Sequence, residues 1–318
     1  MKGQDGTPPS PPRRATPWGA YGILVVVFII WANSFVAARV LVGDGVPEAE
    51  RLSALQFVLV RFAPVALWGL AFFAARCSAR VEAKRLLLSH WGLLLMLAAA
   101  NVWGYNLAFG EGHHRVSAGT GALIIVLNPV FTFLLSVLLG FERVLATRIA
   151  GLSVAFAGIW VVVVYGAGRA VEPAYFQDAA ILVLAPVCWA LYTVFGKPLL
   201  EQTSPMVLTF LVLAIGSLPT LPWLALDTDL HQRLAAWGWE RWSAALFLSV
   251  GCTILAFWLW FVALKQMEAS SAAAFVFLNP PLAVLFEWLW LGRRPEIALL
   301  AGGVLVLLGV WLCNRSPG

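Results

Sequence analysis

Charge is scarce in this chain of 318 residues. Asp, Glu, Lys and Arg make up 12% of it against 61% hydrophobic residues, and the mean hydropathy is +0.85. Roughly a quarter of the residues of a soluble domain are charged, so a water-soluble globular fold is excluded. Histidine is scarcer still, at four residues, and no H-E-x-x-H, G-x-S-x-G, Walker or dinucleotide-binding pattern occurs. His90 and His231 fall in predicted interhelical loops, which leaves too few ligands for a metal site or an intramembrane histidine pair. The chain is therefore not expected to be an enzyme or to hold a metal or other cofactor. Its four cysteines, Cys77, Cys188, Cys252 and Cys313, form no C-x-x-C pair. Three lie in apolar runs, where a free thiol packs as a small hydrophobe. The net charge of +5 and pI near 9.3 come from basic residues scattered over short loops, so nucleic acid is not an expected partner.

What the chain has instead is apolar sequence almost end to end. A bilayer core about 30 Å thick takes about 20 residues of helix. Ten such windows are predicted, over residues 18–40, 53–75, 90–110, 116–138, 146–166, 176–197, 205–226, 243–264, 270–291 and 296–313. The expected fold class is thus an all-α membrane protein with ten transmembrane helices. Trp18, Trp91, Trp223 and Trp242 near the predicted span ends fit interfacial aromatic belts. An even number of spans puts both termini on one side. Placing them in the cytoplasm gives 12 Lys and Arg on that side and 8 on the other, as the positive-inside rule prefers. The expected location is the cell (inner) membrane, multi-pass, with both termini cytoplasmic. Residues 1–17, MKGQDGTPPSPPRRATP, are too polar and proline-rich to bury a core and are read as a disordered cytoplasmic tail. A cleaved signal peptide is the rival reading, but the apolar run Tyr21–Trp31 continues into a full-length span, which favours retention.

The chain matches itself. Sliding it by 151 residues superimposes Asn128 on Asn279, Pro129 on Pro280, Gly151 on Gly302, Gly158 on Gly309 and Trp160 on Trp311. WANSFVAAR at Trp31–Arg39 matches WALYTVFGK at Trp189–Lys197 at an offset of 158. Such self-similarity marks an internal duplication, with repeats over 18–168 and 174–313. Each repeat holds five spans, an odd number, so the second enters the membrane from the opposite face, the inverted arrangement of secondary transporters. Both repeats carry the step Leu-Asn-Pro inside an apolar run. Proline lacks an N–H and frees a carbonyl one turn earlier, which lipid cannot satisfy. Two kinked helices are therefore expected at buried or water-lined positions, with Asn128 and Asn279 offering amides at the same depth. The plainer reading is that Asn and Pro join neighbouring helices.

The order of these elements carries a family resemblance. WANSFVAARV followed by Arg61 in the next span, then SAGTGALIIVLNPVFTFLLSVLLGFERV and a glycine-rich fifth span, resembles an EamA-type repeat of the drug/metabolite transporter superfamily. SSAAAFVFLNPPLAVLFEWLWLGRRPE and ALLAGGVLVLLGVWL resemble the partner repeat, so the likeness covers roughly residues 20–313. It implies ten helices in two inverted repeats and a central cavity lined by the third, fourth, eighth and ninth helices with parts of the first and sixth. It further implies export of small metabolites. Two departures stand out: the acidic residue after the fourth span, Glu142, is matched by Arg293 in the second repeat, and Arg61 has no counterpart there.

Two charges fall inside predicted spans. Arg61 lies about 12 Å in from the end of its span, and Glu287 lies deep in the ninth. A charge facing lipid at that depth costs at least about 2.5–3.5 kcal/mol, so both should face protein or water. Glu287 is expected to bind substrate or a proton, the alternative being a structural ion pair or a neutral carboxyl. Arg61, on a helix that the family pattern makes peripheral, is expected to be a structural charge, as is Glu142. Around them, Trp31, Asn33, Asn101, Tyr105, Asn106, Thr120, Asn128, Trp189, Tyr192, Thr253, Trp258 and Asn279 are candidate substrate-binding residues of the cavity. Ser34, Thr193, Trp103 and Trp260 belong to the same polar and aromatic set. His113 and His114, after Glu111, have a side chain that ordinarily titrates near neutral pH, though loop histidines are usually solvated.

The expected function is a secondary transporter of a small organic metabolite, an amino acid or similar amphipathic solute, working as an exporter by alternating access. Its expected partners are that solute and the lipid bilayer, with protons as a candidate coupling ion. Phosphorylated solutes would want several inward-facing cations, which the spans lack. The competing reading is a membrane-embedded enzyme or flippase acting on lipid-linked substrates, but the loops are short for the acidic or histidine clusters it would need. A purely structural bundle leaves the paired Asn-Pro steps unexplained.

Overall fold

The computed structural model describes residues 18–43, 45–139, 146–165, 173–266, 272 and 275–314. Among the described residues all regular structure is helical. The predicted tail 1–17 and Glu142 lie outside them. Seven helical stretches are long and apolar enough to cross a membrane: Gly19–Val42, Ala54–Ala75, Cys77–Gly112, Ala118–Leu135, Ala174–Glu201, Pro205–Leu226 and Trp239–Gln266. Three shorter apolar helices, Ile149–Val161, Phe275–Leu291 and Ile297–Gly309, fall on the fifth, ninth and tenth predicted windows. The chain is a multi-pass helical membrane protein, helices being the structure that satisfies most backbone hydrogen bonds locally where lipid offers none.

In chain order the first half contributes α1 (Trp18–Val42), α2 (Ala54–Ala75) and α3 (Cys77–Ala98), which passes through a π-helical turn (Ala99–Gly104) into α4 (Tyr105–Gly112). It continues with α5 (Ala118–Ile125), α6 (Asn128–Leu138) and α7 (Ala146–Tyr165). The second half contributes α8 (Pro173–Leu182), α9 (Leu184–Gly196), α10 (Pro205–Ser217), α11 (Thr220–Leu226), α12 (Thr228–Ala235) and α13 (Trp239–Leu246). A second π-helical segment (Phe247–Leu255) leads into α14 (Ala256–Gln266), and a 3-10 turn (Phe275–Leu278) opens α15 (Asn279–Leu291), followed by α16 (Ile297–Asn314).

Local chemistry sets several of these boundaries. Ser53 and Gln56 form a reciprocal capping box at the start of α2, which satisfies two amides that the first turn leaves without acceptors. Ser117 caps α5 and Asp227 caps α12 through side-chain acceptors. The segment 76–89, predicted to be a loop, is helical from Cys77 onward. It holds Ala, Leu, Arg, Lys and Glu, all good helix formers, and no Gly or Pro. Ala79, Ala83 and Leu86 are buried on one face while Arg80, Lys84 and Arg85 stay exposed, the amphipathic pattern that stabilises a surface helix. The bend toward the bilayer-length part falls at His90, whose φ is −138° and ψ 28°.

The two Leu-Asn-Pro steps do not kink continuous helices. α5 ends at Ile125, Val126 and Leu127 form a turn, and α6 restarts at Asn128 with Pro129 in its first turn. In the second half α15 likewise starts at Asn279 with Pro280 in its first turn. Proline is favoured there because the N–H it lacks would have no helical acceptor.

Two apolar cores lie one above the other along α1. Ala20, Leu24 and Phe28 join the first, with Tyr192, Trp260 and Phe261. Phe35, Ala38 and Leu41 join the second, with Phe57, Phe109 and Leu127. α7 and α16 pack at backbone contact. A Cβ on Gly158 would lie 2.7 Å from the Gly302 oxygen, and one on Gly309 would lie 2.5 Å from the Gly151 oxygen. As numbering rises along α7 the partner number falls along α16, so the two helices run antiparallel. Because the obstructing atoms are backbone, even one methyl group must push the helices apart. Gly158→Ala and Gly309→Ala are each expected to lower stability by about 1–3 kcal/mol, the usual cost of overpacking. Gly22→Ala, with nothing within 4 Å of its Cβ, is expected to change little; thermal unfolding in detergent micelles compares the three.

Candidate functional site

The site is built around Arg61 on α2. In each π-helical segment the ladder admits an extra residue and a carbonyl is taken by a side chain five positions on. Asn106 Nδ2 donates to the Asn101 carbonyl at 2.7 Å, and Thr253 Oγ1 donates to the Leu248 carbonyl at 2.8 Å. Both side chains then accept from Arg61: Nη1 donates to Asn106 Oδ1 and Nε to Thr253 Oγ1, each at 2.9 Å. The guanidinium thus bridges one widened helix from each half. Arg61 is buried, 4% exposed, and its guanidinium lies 5.5 Å from the centre of the Phe62 ring.

Arg61 also reaches a central cavity whose interior offers about 40 Å³ to the centres of water molecules, several times the roughly 10–15 Å³ that one water needs. Among the described residues it is the only charged side chain in the lining. The wall is aromatic. Trp31 meets Trp189 at 5.1 Å and Phe257 at 5.7 Å edge to face and Trp260 at 5.6 Å in a tilted arrangement, and Tyr105 stacks on Phe109 at 5.7 Å. Trp31 Nε1 is anchored on the Cys252 carbonyl at 3.0 Å, which fixes the ring between the halves. Ser34, Thr132, Thr193, Asn128 and Asn279 supply the polar remainder. Neither asparagine makes a side-chain hydrogen bond among the described residues, and the Oδ1 of each is buried without a partner.

Of the predicted cavity residues, Trp31, Tyr105, Asn128, Trp189 and Asn279 line this space. Asn106 and Thr253 stand behind it, holding Arg61. Asn101 is buried in the first π turn, where its backbone carbonyl does the work and its amide has no partner. Tyr192 is fully buried behind the wall, stacked on Phe261 at 5.4 Å. Thr120 belongs to the α5 cap, with its hydroxyl 3.0 Å from that of Ser117. Asn33 points away from the cavity: it bonds the Ile29 carbonyl at 3.1 Å and accepts from Trp290 Nε1 at 3.2 Å. Trp258 is also absent from the lining, because two residues along a helix turn a side chain to nearly the opposite face and Trp260 takes the inward one. Trp103 bonds the Gly216 carbonyl at 2.9 Å instead. Arg61, expected at the periphery, is at the centre. The lining residues that the sequence analysis does not name, Phe28, Phe35, Phe109, Ile125, Thr132, Phe257 and Val276, lie three or four positions from Trp31, Tyr105, Asn128, Trp260 or Asn279, so helical spacing is the available signal.

Glu287 lies elsewhere. Its Oε2 accepts from the Gly119 amide at 2.9 Å, at the start of α5, and its Oε1 is 4.0 Å from Arg293 Nη1. It therefore ties α15 of the second half to the N-terminus of α5 in the first, where a carboxylate is favoured by the helix dipole. The same end of the bundle carries other ties. Arg39 Nη1 donates to the His113 and His114 carbonyls, Arg115 pairs with Asp178 at 2.9 Å, and Gln56 Nε2 donates to Asp229 at 2.9 Å. His113 is not a solvated loop residue: it is fully buried, its Nδ1 is 2.8 Å from the Phe109 carbonyl, and burial drives its pKa down to about 3.

The EamA-like transporter family matches the chain twice, over residues 18–164 and 179–315. The chain belongs to that family. Among its relatives is the "Probable terminal-alkyne amino-acid exporter" of Streptantibioticus cattleyicolor, 30% identical over 293 residues, which are 92% of each chain. An "Uncharacterized transporter" of Archaeoglobus fulgidus is 27% identical over 282 residues, 79% of this chain and 96% of its own. The "Uncharacterized inner membrane transporter YedA" of Escherichia coli K12 is 23% identical over 93% of each chain. One solved crystal structure shares the fold at a TM-score of 0.62 and 20% identity, over 93% of this chain and 96% of that one. This family member is accordingly a transporter with a small-molecule substrate.

Two outcomes follow from the ties. Glu287→Gln removes a charged acceptor from the Gly119 amide and is expected to cost about 1–2 kcal/mol, read by thermal unfolding. His113 is held neutral, its folded pKa lying below the ordinary value near 6.5. Its contribution to stability is thus full above about 6.5 and falls as pH drops toward 3. Unfolding measured across that window is expected to show a steeper pH dependence for the native chain than for His113→Gln.

Proposed function

We propose that the protein is an exporter that carries a small amphipathic solute, an amino acid or a similar metabolite, across the cell membrane by alternating access of two inverted five-helix halves. One observation carries the reading: the two repeats pack on one another through equivalent or reciprocal positions. Trp31 and Trp189 are in edge-to-face contact, and Asn128 and Asn279 each open a helix and each line the cavity. Gly158 faces Gly302 while Gly309 faces Gly151. Reciprocal contacts of this kind are what a two-fold axis generates, and a five-span unit followed by its copy in opposite orientation requires that axis to lie in the membrane plane. On this reading the three shorter apolar helices complete ten spans and both termini are cytoplasmic.

The substrate class follows from the wall. Packed indoles favour an apolar body, and a few convergent polar groups fix its orientation. The 30% identical relative, named as an amino-acid exporter, supports the same choice. Glu287 stands outside the cavity, buried between α15 and α5 on the Gly119 amide, so on this reading it holds the two halves together rather than touching the solute.

Counterflow in proteoliposomes tests this reading with propargylglycine, a terminal-alkyne amino acid, among a panel of amino acids. The native chain is expected to exchange at least one of them. Replacing Asn128 and Asn279 together by Leu is expected to cut that exchange at least tenfold in a protein that still unfolds cooperatively; unaltered exchange would reduce both residues to helix contacts.

A further inference from the structure

We infer that Arg61 is the carboxylate anchor of the cavity, so that the solute is a small monocarboxylate whose apolar tail lies against the tryptophan wall. The inference rests on the transport reading above and adds the group that is recognised. Its first support is charge. Arg61 is 4% exposed, and among the described residues it enters no ion pair. Both side chains that accept from it, Asn106 and Thr253, are neutral. A buried cation without a counter-ion is expensive, and a carboxylate on that cation is the common relief.

The second support is direction. Nε and Nη1 are spent on the two π-helical segments, which locks the plane of the guanidinium. Nη2 keeps no protein acceptor among the described residues, on a side chain that lines the cavity. Charge-assisted bonds from such a donor to a carboxylate are roughly twice as strong as neutral ones. The third support is the company it keeps. The cavity lining holds no Asp or Glu among the described residues to compete for the cation, and Asn128 and Asn279, without side-chain hydrogen bonds of their own, bring two amides to the same space. One available cation suits one negative charge; a phosphate dianion would call for several. The indoles of Trp31 and Trp189 can take either an aliphatic tail or, through their faces, an ammonium group, so an α-amino acid and its des-amino analogue both fit.

Binding to the full-length chain in nanodiscs decides the matter, using propargylglycine, pentynoate, which lacks the amino group, and propargylglycine methyl ester, which lacks the carboxylate. The native protein is expected to bind the two acids at least tenfold more tightly than the ester. Arg61→Gln is expected to weaken both acids at least tenfold and leave the ester unchanged, with Arg61→Lys intermediate. A native protein that binds the acids no better than the ester, or binds none of the three, overturns the proposal, and that comparison stands even where Arg61→Gln does not fold. Equal losses for acid and ester in a folded Arg61→Gln protein also overturn it, since they mark a purely structural residue. Selective acid binding without counterflow would instead sink the transport reading and leave the anchor intact.

Discussion

A buried cation held by two widened helices organises the centre of this protein. Arg61 cannot be left facing lipid, and its cost is met by acceptors that a regular α-helix would not present. The π turns at Ala99–Gly104 and Phe247–Leu255 bring Asn106 and Thr253 into place, and those two residues in turn close the carbonyls that the turns expose. Neither half is complete alone: the widened helix of one needs the arginine that also binds the other. Such π turns are rare and cluster at functional sites, which fits their position beside the cavity.

The rest of the interior follows from keeping that cation in a confined, partly polar space. Broken helices at Asn128 and Asn279 bring amides to it without exposing backbone to lipid, because each break faces protein. The indoles fill the remaining volume with rigid surface. Charged contacts gather instead at the end of the bundle where Glu287, Arg39 and Arg115 meet their partners.

Much of this was legible in the sequence. Apolar runs located the membrane helices because the bilayer thickness imposes their length, and the 151-residue self-match pointed to the very glycines that touch. The paired asparagines stood out because an amide in an apolar run demands a reason. Three things were not legible. A π turn has no compositional signature, so spacing does not identify the partners of Arg61, and the family pattern makes its helix peripheral. The helical segment after Arg76 reads as a loop because its charges mask a buried Ala79, Ala83, Leu86 stripe. For Glu287, depth along a helix is legible but rotation about it is not; the side chain turns to α5 rather than to the cavity.

Duplication within one chain has a consequence for the odd arginine. Were the two halves identical subunits of a dimer, any cation placed near the axis would appear twice, and two guanidinium groups would share one small chamber at a steep repulsive cost. Within one chain the two repeats are free to differ: Arg61 has no counterpart in the second, so the described lining of the chamber carries one guanidinium rather than two.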